Sequence, residues 1–435
     1  MSRVLLKSAT EGTSEFSGAL ARLAARGESD LSAVEPLVRQ ILEDIRERGD
    51  AAVKDYIFRF EGRRVSQLLY TDYGGQAALD GLGSDVRAAL IAAADRIRRY
   101  HERQASGLDS FEYKEGGVLL GSRVNPLDRV GIYTPGGKAR YPSSVLMSAI
   151  PAQVAGVRAI TLASPNPGAE VRAACHLAGV EAILDAGGAQ AIATLAYGTE
   201  SVPPVDKIVG PGNLYVAAAK RLVFGQVDID SLAGPSEILV LADENSDPRL
   251  VAADLLSQAE HDEASYPLLL CLSTEFVERV ATELPHQLES LPRRSMAEQA
   301  ILDHGVALVV RDRQRLAEVA NQIAAEHVAV HVQRPEELAR EIRHAGAIFV
   351  GSTTPEAAGD YLAGPSHVLP TGGAARYGAP LGVYDFVSRS SVIAYTLEEL
   401  GAQAAHITAL ARAEGLEGHA RAVESRLAPS PRQNR

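Results

Sequence analysis

The stretch SSVLMSAIPAQVAGVRAITLAS, residues 143–164, decides the fold class. Residues 143–156 form an alanine-rich segment of helical length, and residues 157–164 form a short strand. The alternation continues through GAEVRAACHLAG (168–179), EAILDAGG (181–188), AQAIATLAYG (189–198) and KIVGPG (207–212). Strands that alternate with helices in this way predict a parallel sheet with crossover helices.

A second series of the same kind begins at Glu237. It contains the strand EILVLAD (237–243), a helix over Pro248–His261, the strands PLLLCLS (267–273) and GVALVVRD (305–312), a helix over Arg313–Glu326, and the strands HVAVHV (327–332) and AGAIFVGS (345–352). We therefore expect an α/β protein with two related, incomplete nucleotide-fold-like domains. No strand is followed by GxGxxG, and the nearest match, GPGN at 210–213, lacks the third glycine.

The helical patterns outside the two series set the remaining domain boundaries. Apolar periodicity predicts helices over Leu31–Arg48, which Gly49 ends, over Ser84–His101 and over residues 391–427. The expected division is an N-terminal arm with one amphipathic helix (1–28), a first α/β domain (29–126 with 237–381), a second α/β domain (127–236), and a C-terminal helical tail (382–435).

Composition excludes several classes of function. Lys+Arg 43 against Asp+Glu 55 give a net charge of -12, which argues against a nucleic-acid surface and against binding to an anionic membrane. We find neither a signal peptide nor a membrane-spanning run. Cys175 and Cys271 both lie in apolar runs, so buried thiols in a reducing compartment are favoured over a disulfide. We therefore expect a cytoplasmic protein.

Four short fragments carry side chains that are suited to metal binding or proton transfer. Gln258 and His261 are three residues apart on a helix that Asp247 caps and Pro248 begins, so they share one face. The others are the adjacent Glu326 and His327, then Asp360 and His367 in a Gly/Pro-rich segment, and finally Glu414 and His419 near the C-terminus. Taken singly, each fragment is better explained as a solvated helix end, a turn or a capping residue.

Taken together, the fragments resemble the histidinol dehydrogenase family, whose members depend on zinc and NAD. The matching stretches are GIYTPGGKARYPSSVLM (131–147), DAGGAQAIATLAYGT (185–199), DKIVGPGNLYV (206–216), DSLAGPSEILVLAD (230–243), DLLSQAEHD (254–262), AAEHV (324–328), GDYLAGPSHVLPTGG (359–373) and AEGLEGH (413–419). The resemblance is therefore nearly full length.

The resemblance implies a complete set of site residues. One zinc ion per subunit is expected on Gln258, His261, Asp360 and His419, a set of oxygen and nitrogen donors without a thiolate. Glu326 and His327 are the expected acid–base pair, with His327 removing protons and Glu326 activating water. Further substrate contacts fall on Ser236, His367 and Glu414, and the zinc and acid–base residues also contact the substrate. Cofactor contacts fall on Tyr133, Gln190 and Asn213.

The implied reaction is the four-electron oxidation of L-histidinol to L-histidine through bound L-histidinaldehyde, with two NAD reduced. The family also implies a homodimer in which the C-terminal segment reaches the neighbouring active site. This sequence departs from the family at Ser366, where asparagine is common, and at Arg389, where lysine is common. The open alternatives are a related zinc- and NAD-dependent dehydrogenase of another polyol or sulfonated diol, a zinc hydrolase, and a non-catalytic scaffold.

Overall fold

The computed structural model describes residues 5–27, 31–136, 141–232 and 234–428. Its strands in chain order are β1 Lys7–Thr10, β2 Leu69–Tyr70, β3 Phe111–Glu115, β4 Val118–Pro126, β5 Arg129–Tyr133, β6 Ala159–Ala163, β7 Ala182–Leu184, β8 Lys207–Val209, β9 Asp228–Ile229, β10 Glu237–Ala242, β11 Tyr266–Cys271, β12 Val306–Val309, β13 His327–Val330, β14 Ala347–Val350 and β15 Val387–Tyr395.

The helices in chain order are α1 Ser14–Ala25, α2 Glu35–Arg48, α3 Asp50–Glu61, α4 Gly75–Asp80, α5 Ser84–Ala105, α6 Pro142–Ala155, α7 Ala169–Ala178, α8 Gly188–Tyr197, α9 Leu214–Val223, α10 Pro248–Ala259, α11 Thr274–Leu288, α12 Arg294–His304, α13 Arg313–Ile323, α14 Pro335–Ala339, α15 Glu356–Tyr361, α16 Leu397–Ala413 and α17 Glu417–Leu427. Short 3₁₀ turns occupy Ala374–Arg376 and Val383–Phe386. Within the described residues, no helix is both long enough and apolar enough to cross a bilayer.

Two compact units make up the chain, and the first contains both α/β series. It comprises residues 1–104 and 127–386. One sheet has the order β1-β12-β11-β10-β13-β14 and is parallel throughout. The other has the order β2-β7-β6-β5-β8-β9 and is parallel except at β2. The expected pair of parallel α/β sheets is confirmed.

The central strands are mostly apolar and buried because helices cover both faces of a parallel sheet. β10 is buried at every position, and Leu239 and Val240 are fully inaccessible on opposite faces. Leu239 belongs to a cluster with α1 and α13, whereas Val240 belongs to one with α10, α11 and α12. The free thiols are also buried, Cys175 in the core of the other sheet and Cys271 beside α10 and α11, as the sequence predicts.

The helices that precede the first series pack differently from the predicted grouping of residues 29–126 with 237–381. The buried side chains of α2 and α3 share a core with α8 and α9, and those of α5 share a core with α6 and α7. All of these helices therefore cover the sheet of residues 129–229. The predicted N-terminal arm contributes β1, which pairs with β12 in the other sheet. The four domain boundaries themselves stay a prediction.

The second compact unit comprises residues 105–126 and 387–435. Its antiparallel sheet has the order β15-β4-β3, and α16 packs against α17. The predicted helix over residues 391–427 is wrong at its start, where residues 391–395 belong to β15 and pair with β4. Thr396 then caps α16 by accepting the Glu399 amide hydrogen, which fixes the change from strand to helix.

Candidate active site

The predicted metal and acid–base residues of the first unit gather at the amino ends of two neighbouring strands. Glu237 begins β10 and His327 begins β13, and Ile238 lies beside His327 in the register of the sheet. α10 runs back along the sheet and ends at Ala259, so Gln258 and His261 arrive at the same edge. Asp247 caps α10 by accepting the Arg249 amide hydrogen, and Pro248 is its first residue, as the sequence predicts.

A cluster that could hold a cation lies at this edge. Ligand atoms of His261, Glu356 and Asp360 lie within 4.8 Å of one another, with His261 exposed, Glu356 buried and Asp360 half-buried. Asp360 lies on the short helix α15 and not on the irregular loop that we expected from its sequence. Gln258 is fully buried, and its amide nitrogen lies 2.9 Å from Glu356 Oε1.

Glu356 is the member of this cluster that the sequence reasoning missed. It is 1% exposed and begins α15 directly after Pro355. Glu356 and Asp360 are four residues apart, so they lie on one face of that helix. This spacing was the available signal, but two carboxylates four apart are common on exposed helices and do not by themselves indicate a site.

The electrostatics of the cluster suit a cation. Burial raises the pKa of Glu326 and of Glu356 well above the usual carboxyl range, and the neighbouring carboxylates raise both further. Burial alone raises the pKa of Asp360 to about 6. A divalent cation among these groups would stabilise their ionised forms.

The surroundings of His327 fix which of its ring nitrogens carries the proton. Nδ1 lies 2.9 Å from the main-chain oxygen of Glu237, 3.4 Å from Glu356 Oε1 and 3.6 Å from Glu326 Oε2. Nδ1 also lies 3.1 Å from the Gln258 amide nitrogen, whose two hydrogens have oxygen acceptors at 2.9 Å on Glu356 and 3.0 Å on Glu237. With those hydrogens directed to the two oxygens, Nδ1 donates to the Glu237 carbonyl and Nε2 keeps its lone pair. Among the described residues, Nε2 is buried and has no hydrogen-bond partner. Burial lowers the pKa of His327 to about 4, which favours the neutral ring.

The side chain of Glu237 connects the acid–base pair to the N-terminal helix. The Arg26 guanidinium donates to both Glu237 oxygens, at 2.8 and 2.7 Å, and both side chains are 1% exposed. The Glu326 amide donates to Glu237 Oε2 at 3.3 Å, and the Glu237 amide donates to Glu326 Oε2 at 2.9 Å. The Gly372 amide donates to Glu237 Oε1 at 2.6 Å. The buried ion pair therefore fixes Glu326 from both sides.

The predicted substrate-contact residues are divided between the two units. His367 donates from Nδ1 to the Asp360 carbonyl at 3.1 Å, and its Nε2 lies 3.3 Å from Ser144 Oγ. Burial lowers the pKa of His367 to about 4. Ser236 is half-buried directly before β10. Glu414 and His419 lie in the second unit, at the end of α16 and within α17, and both are exposed.

The two positions that depart from the family lie in different units. Ser366 is buried, and its hydroxyl donates to the Met147 carbonyl at 3.2 Å. Arg389 is exposed on β15 of the second unit, opposite Val124 of β4.

A cavity lies at the carboxyl ends of the parallel strands in the sheet of residues 129–229. Tyr133, Gln190 and Asn213 line a cavity of about 490 Å³ together with glycines 136, 187 and 188. Tyr133 accepts a hydrogen bond from the Gly188 amide at 3.1 Å, and Asn213 caps α9 by accepting from Tyr215 and Val216. The first turns of α8 and α9 therefore border the cavity, and helix N-termini favour phosphate groups. Carboxyl ends of parallel strands are also where nucleotides bind in such sheets.

Gly210 occupies a backbone conformation at this edge that requires glycine. Its φ is +114°, and a Cβ there would lie 2.1 Å from the Tyr133 carbonyl oxygen. The ends of β5 and β8 therefore approach closely through a glycine outside the standard fingerprint.

Comparison with known proteins identifies the family. A sequence profile described as histidinol dehydrogenase matches residues 24–427. The histidinol dehydrogenase of Syntrophotalea carbinolica is 51% identical over 423 residues, covering 96% of this chain and 98% of its own. That of Ralstonia nicotianae is 51% identical over 424 residues, covering 95% and 96%.

A solved structure agrees with the sequence relatives. The crystal structure of histidinol dehydrogenase from Elizabethkingia anophelis superimposes with a TM-score of 0.91 at 32% identity, covering 98% of this chain and 99% of its own. Profile, relatives and fold all span nearly the entire chain. The chain therefore belongs to the histidinol dehydrogenase family.

Proposed function

We propose that this chain oxidises L-histidinol to L-histidine through bound L-histidinaldehyde. The overall reaction consumes one water and two NAD and yields two NADH and three protons. The observation that carries the proposal is the His261–Glu356–Asp360 cluster beside His327, whose Nε2 is buried and has no hydrogen-bond partner among the described residues. Family membership supplies the substrate, and the cluster supplies the chemical groups that the reaction requires.

Gln258, His261 and Asp360 would hold zinc, and His419 of the partner subunit would complete the set. An amide oxygen, two imidazoles and a carboxylate are donors that zinc accepts, and the raised pKa of Asp360 fits a nearby cation. Zinc bound there would orient the substrate and polarise its oxygen. His261 is exposed, which leaves room for substrate atoms beside these residues.

His327 and Glu326 would perform the proton transfers. Nε2 of His327 removes the alcohol proton as the first oxidation proceeds, while Nδ1 remains bonded to the Glu237 carbonyl. Water then adds to the aldehyde, and Glu326 accepts a proton from that water. His327 releases its first proton to solvent and then removes the hydroxyl proton of the hydrated aldehyde in the second oxidation, which gives the carboxylate. The aldehyde stays bound between the two oxidations.

The remaining contacts follow from charge and hydrogen-bonding capacity. Glu414 would pair with the ammonium or imidazole of the substrate, and Ser236 and His367 would hydrogen-bond to it. NAD would occupy the cavity lined by Tyr133, Gln190 and Asn213, where it accepts a hydride in each oxidation. The first turns of α8 and α9 would bind the pyrophosphate.

The protein would function as a cytoplasmic homodimer with two zinc ions. Each active site would then combine the first unit of one subunit with the C-terminal segment of its partner. The exposed positions of Glu414 and His419 support this arrangement, because both side chains are available to a neighbouring subunit.

Zinc analysis combined with product detection tests the proposal. We expect one zinc per subunit and two NADH for each histidine formed from histidinol. A related dehydrogenase of another polyol or sulfonated diol is the second candidate, and it would reduce NAD with that substrate in preference to histidinol. Failure of the zinc-loaded protein to reduce NAD with histidinol would refute the proposal.

A further inference from the structure

Glu356 lies between the proposed base and a proposed metal ligand. Its Oε1 is 3.4 Å from His327 Nδ1 and 2.9 Å from the Gln258 amide nitrogen. Its Oε2 accepts a hydrogen bond from Ser257 Oγ at 3.2 Å. These three polar contacts come from groups on α10 and β13 of the same unit, so the carboxylate is held in place from two sides.

The first consequence concerns the orientation of the Gln258 amide. Only one orientation satisfies its neighbours, with the nitrogen 2.9 Å from Glu356 Oε1 and 3.0 Å from the Glu237 carbonyl oxygen. His327 Nδ1 is a third neighbour, at 3.1 Å, but the two oxygens are the closer acceptors. They use both N–H groups, so the carbonyl oxygen lies on the opposite side. An amide oxygen can bind a cation, whereas an amide nitrogen has no available lone pair. The acceptors therefore decide whether Gln258 can act as a ligand.

The second consequence concerns the tautomer of His327. Its Nδ1 faces the same two acceptors, the Glu237 carbonyl at 2.9 Å and Glu356 Oε1 at 3.4 Å. Protonated Nδ1 leaves Nε2 as the proton acceptor. The Glu237 carbonyl belongs to the main chain, so the shared acceptor that a substitution can remove is Glu356.

We infer that Glu356 is a positioning residue that orients the Gln258 amide and holds the proton of His327 on Nδ1. This inference rests on the proposed function, because it gives Gln258 and His327 their roles as ligand and base. Glu356 also lies within 4.8 Å of His261 and Asp360, so direct ligation is the competing role. A carboxylate ligand binds a divalent cation more tightly than an amide oxygen does because of its charge, whereas a positioning residue needs only an acceptor oxygen. Removing the charge alone therefore separates the two roles.

Two substitutions, Glu356→Gln and Glu356→Leu, distinguish a positioning role of Glu356 from direct binding of the metal. Glutamine keeps an acceptor oxygen without the charge, and leucine keeps much of the volume with neither. Zinc affinity is measured without histidinol or NAD, by competition with a chromophoric chelator, and kcat and KM are measured separately. We expect Glu356→Leu to weaken zinc binding and to lower kcat by about 10- to 100-fold each, and Glu356→Gln to remain within about threefold of the unsubstituted protein.

Asp243→Asn is the matched control. Asp243 is a buried carboxylate of the same unit that accepts from Gln333 at 2.7 Å and contacts neither Gln258 nor His327. Its replacement should lower thermal stability without changing zinc affinity. Equal losses in Glu356→Gln and Glu356→Leu would overturn the inference in favour of direct ligation, and unchanged zinc affinity and kcat in both would overturn it altogether.

If Glu356→Leu does not fold, exchanging the donor and the acceptor between positions 258 and 356 tests the inference instead. Gln258→Glu places a second carboxylate next to Glu356, so zinc affinity and kcat should fall. Adding Glu356→Gln restores a donor opposite an acceptor, and the double variant should recover part of the zinc affinity and part of kcat. A double variant no better than Gln258→Glu would contradict the inference. An unsubstituted protein that neither bound zinc nor oxidised histidinol would instead refute the proposed function.

Discussion

At the scale of the residue, replacing His327 tests the proposed chemistry most directly. Asparagine can keep the donor toward the Glu237 carbonyl but lacks the second ring nitrogen. We expect His327→Asn to lower kcat by about 10²- to 10⁴-fold, because the proton acceptor is lost. Zinc content should be unchanged, since His327 is not a proposed ligand. NADH formation from histidinol and metal analysis of the same preparation provide the two measurements.

His331→Asn is the control for the loss of a buried imidazole. His331 follows β13, its Nε2 lies 2.8 Å from Asp254 Oδ2, and it is not one of the proposed site residues. This variant should lose stability while retaining most of its kcat. Zinc missing from His327→Asn would show that the imidazole binds the metal and that its assignment as a base is wrong.

The burial of His101 predicts that the free energy of unfolding depends on pH. Burial lowers the pKa of His101 below its ordinary value, and its Nδ1 donates to the Ile97 carbonyl at 2.8 Å. The unfolded chain therefore binds more protons than the folded chain between the lowered pKa and about 6.5, so stability falls as the pH falls through that window. Urea unfolding at pH 7.5 and 5.5 should show a smaller loss for His101→Gln than for the unsubstituted protein.

The exposed His286 of α11 provides the comparison for this measurement. His286→Gln should leave the pH dependence of the free energy of unfolding as it was. If His101→Gln lost as much stability on acidification as the unsubstituted protein, the buried imidazole would not contribute to acid destabilisation.

Some site residues could be predicted from the sequence and others could not. Gln258 and His261 lie in a distinctive motif on a helix with a recognisable cap, and Asp360 lies in another. Glu237 and Glu356 are single carboxylates whose importance comes from burial beside His327. Burial of a charged side chain depends on which elements meet, and spacing along the chain does not report it.

At the scale of the element, the Arg26–Glu237 ion pair joins α1 to the sheet that carries the site. Arg26→Met would leave the Glu237 carboxylate buried without its partner, and losing one member of a buried pair costs about 3–5 kcal/mol. We expect a decrease of that size in the free energy of unfolding, measured with urea. Activity should fall as well, because Glu237 holds Glu326 by two hydrogen bonds.

Arg22→Met is the matched substitution, since Arg22 lies exposed on the same helix. Its effect should be within about 0.5 kcal/mol of zero. Equal stability of the two variants would mean that the buried pair contributes nothing to the docking of α1.

Strong local patterns explain which elements the sequence predicts well. The buried strands β10, β11 and β13 are continuous apolar runs between capped helices, so their type and order follow from the chain. β1 and β15 were missed because each is exposed along most of its length and lacks an apolar pattern. Their pairing with β12 and β4 depends on partners hundreds of residues away, which local propensity does not encode.

At the scale of the whole molecule, the second unit presents apolar side chains to its surroundings. Ile393, Leu397 and Leu410 are 64%, 64% and 68% exposed in the single chain. Apolar side chains of this size are partly covered when subunits associate. Their exposure supports the proposed homodimer, and the same unit carries Glu414 and His419.

Mixing two inactive variants tests whether subunits share their active sites. Asp360→Ala removes a proposed ligand from the first unit, and His419→Ala removes one from the second, so each homodimer should be inactive. In a mixed dimer with crossed tails, one site combines the intact first unit of one subunit with the intact tail of the other. Coexpression with two different affinity tags isolates that dimer, which should show about half of the unsubstituted activity and one tightly bound zinc per dimer. If each site were built within one chain, both sites of the mixed dimer would lack a ligand, and it would be as inactive as its parents.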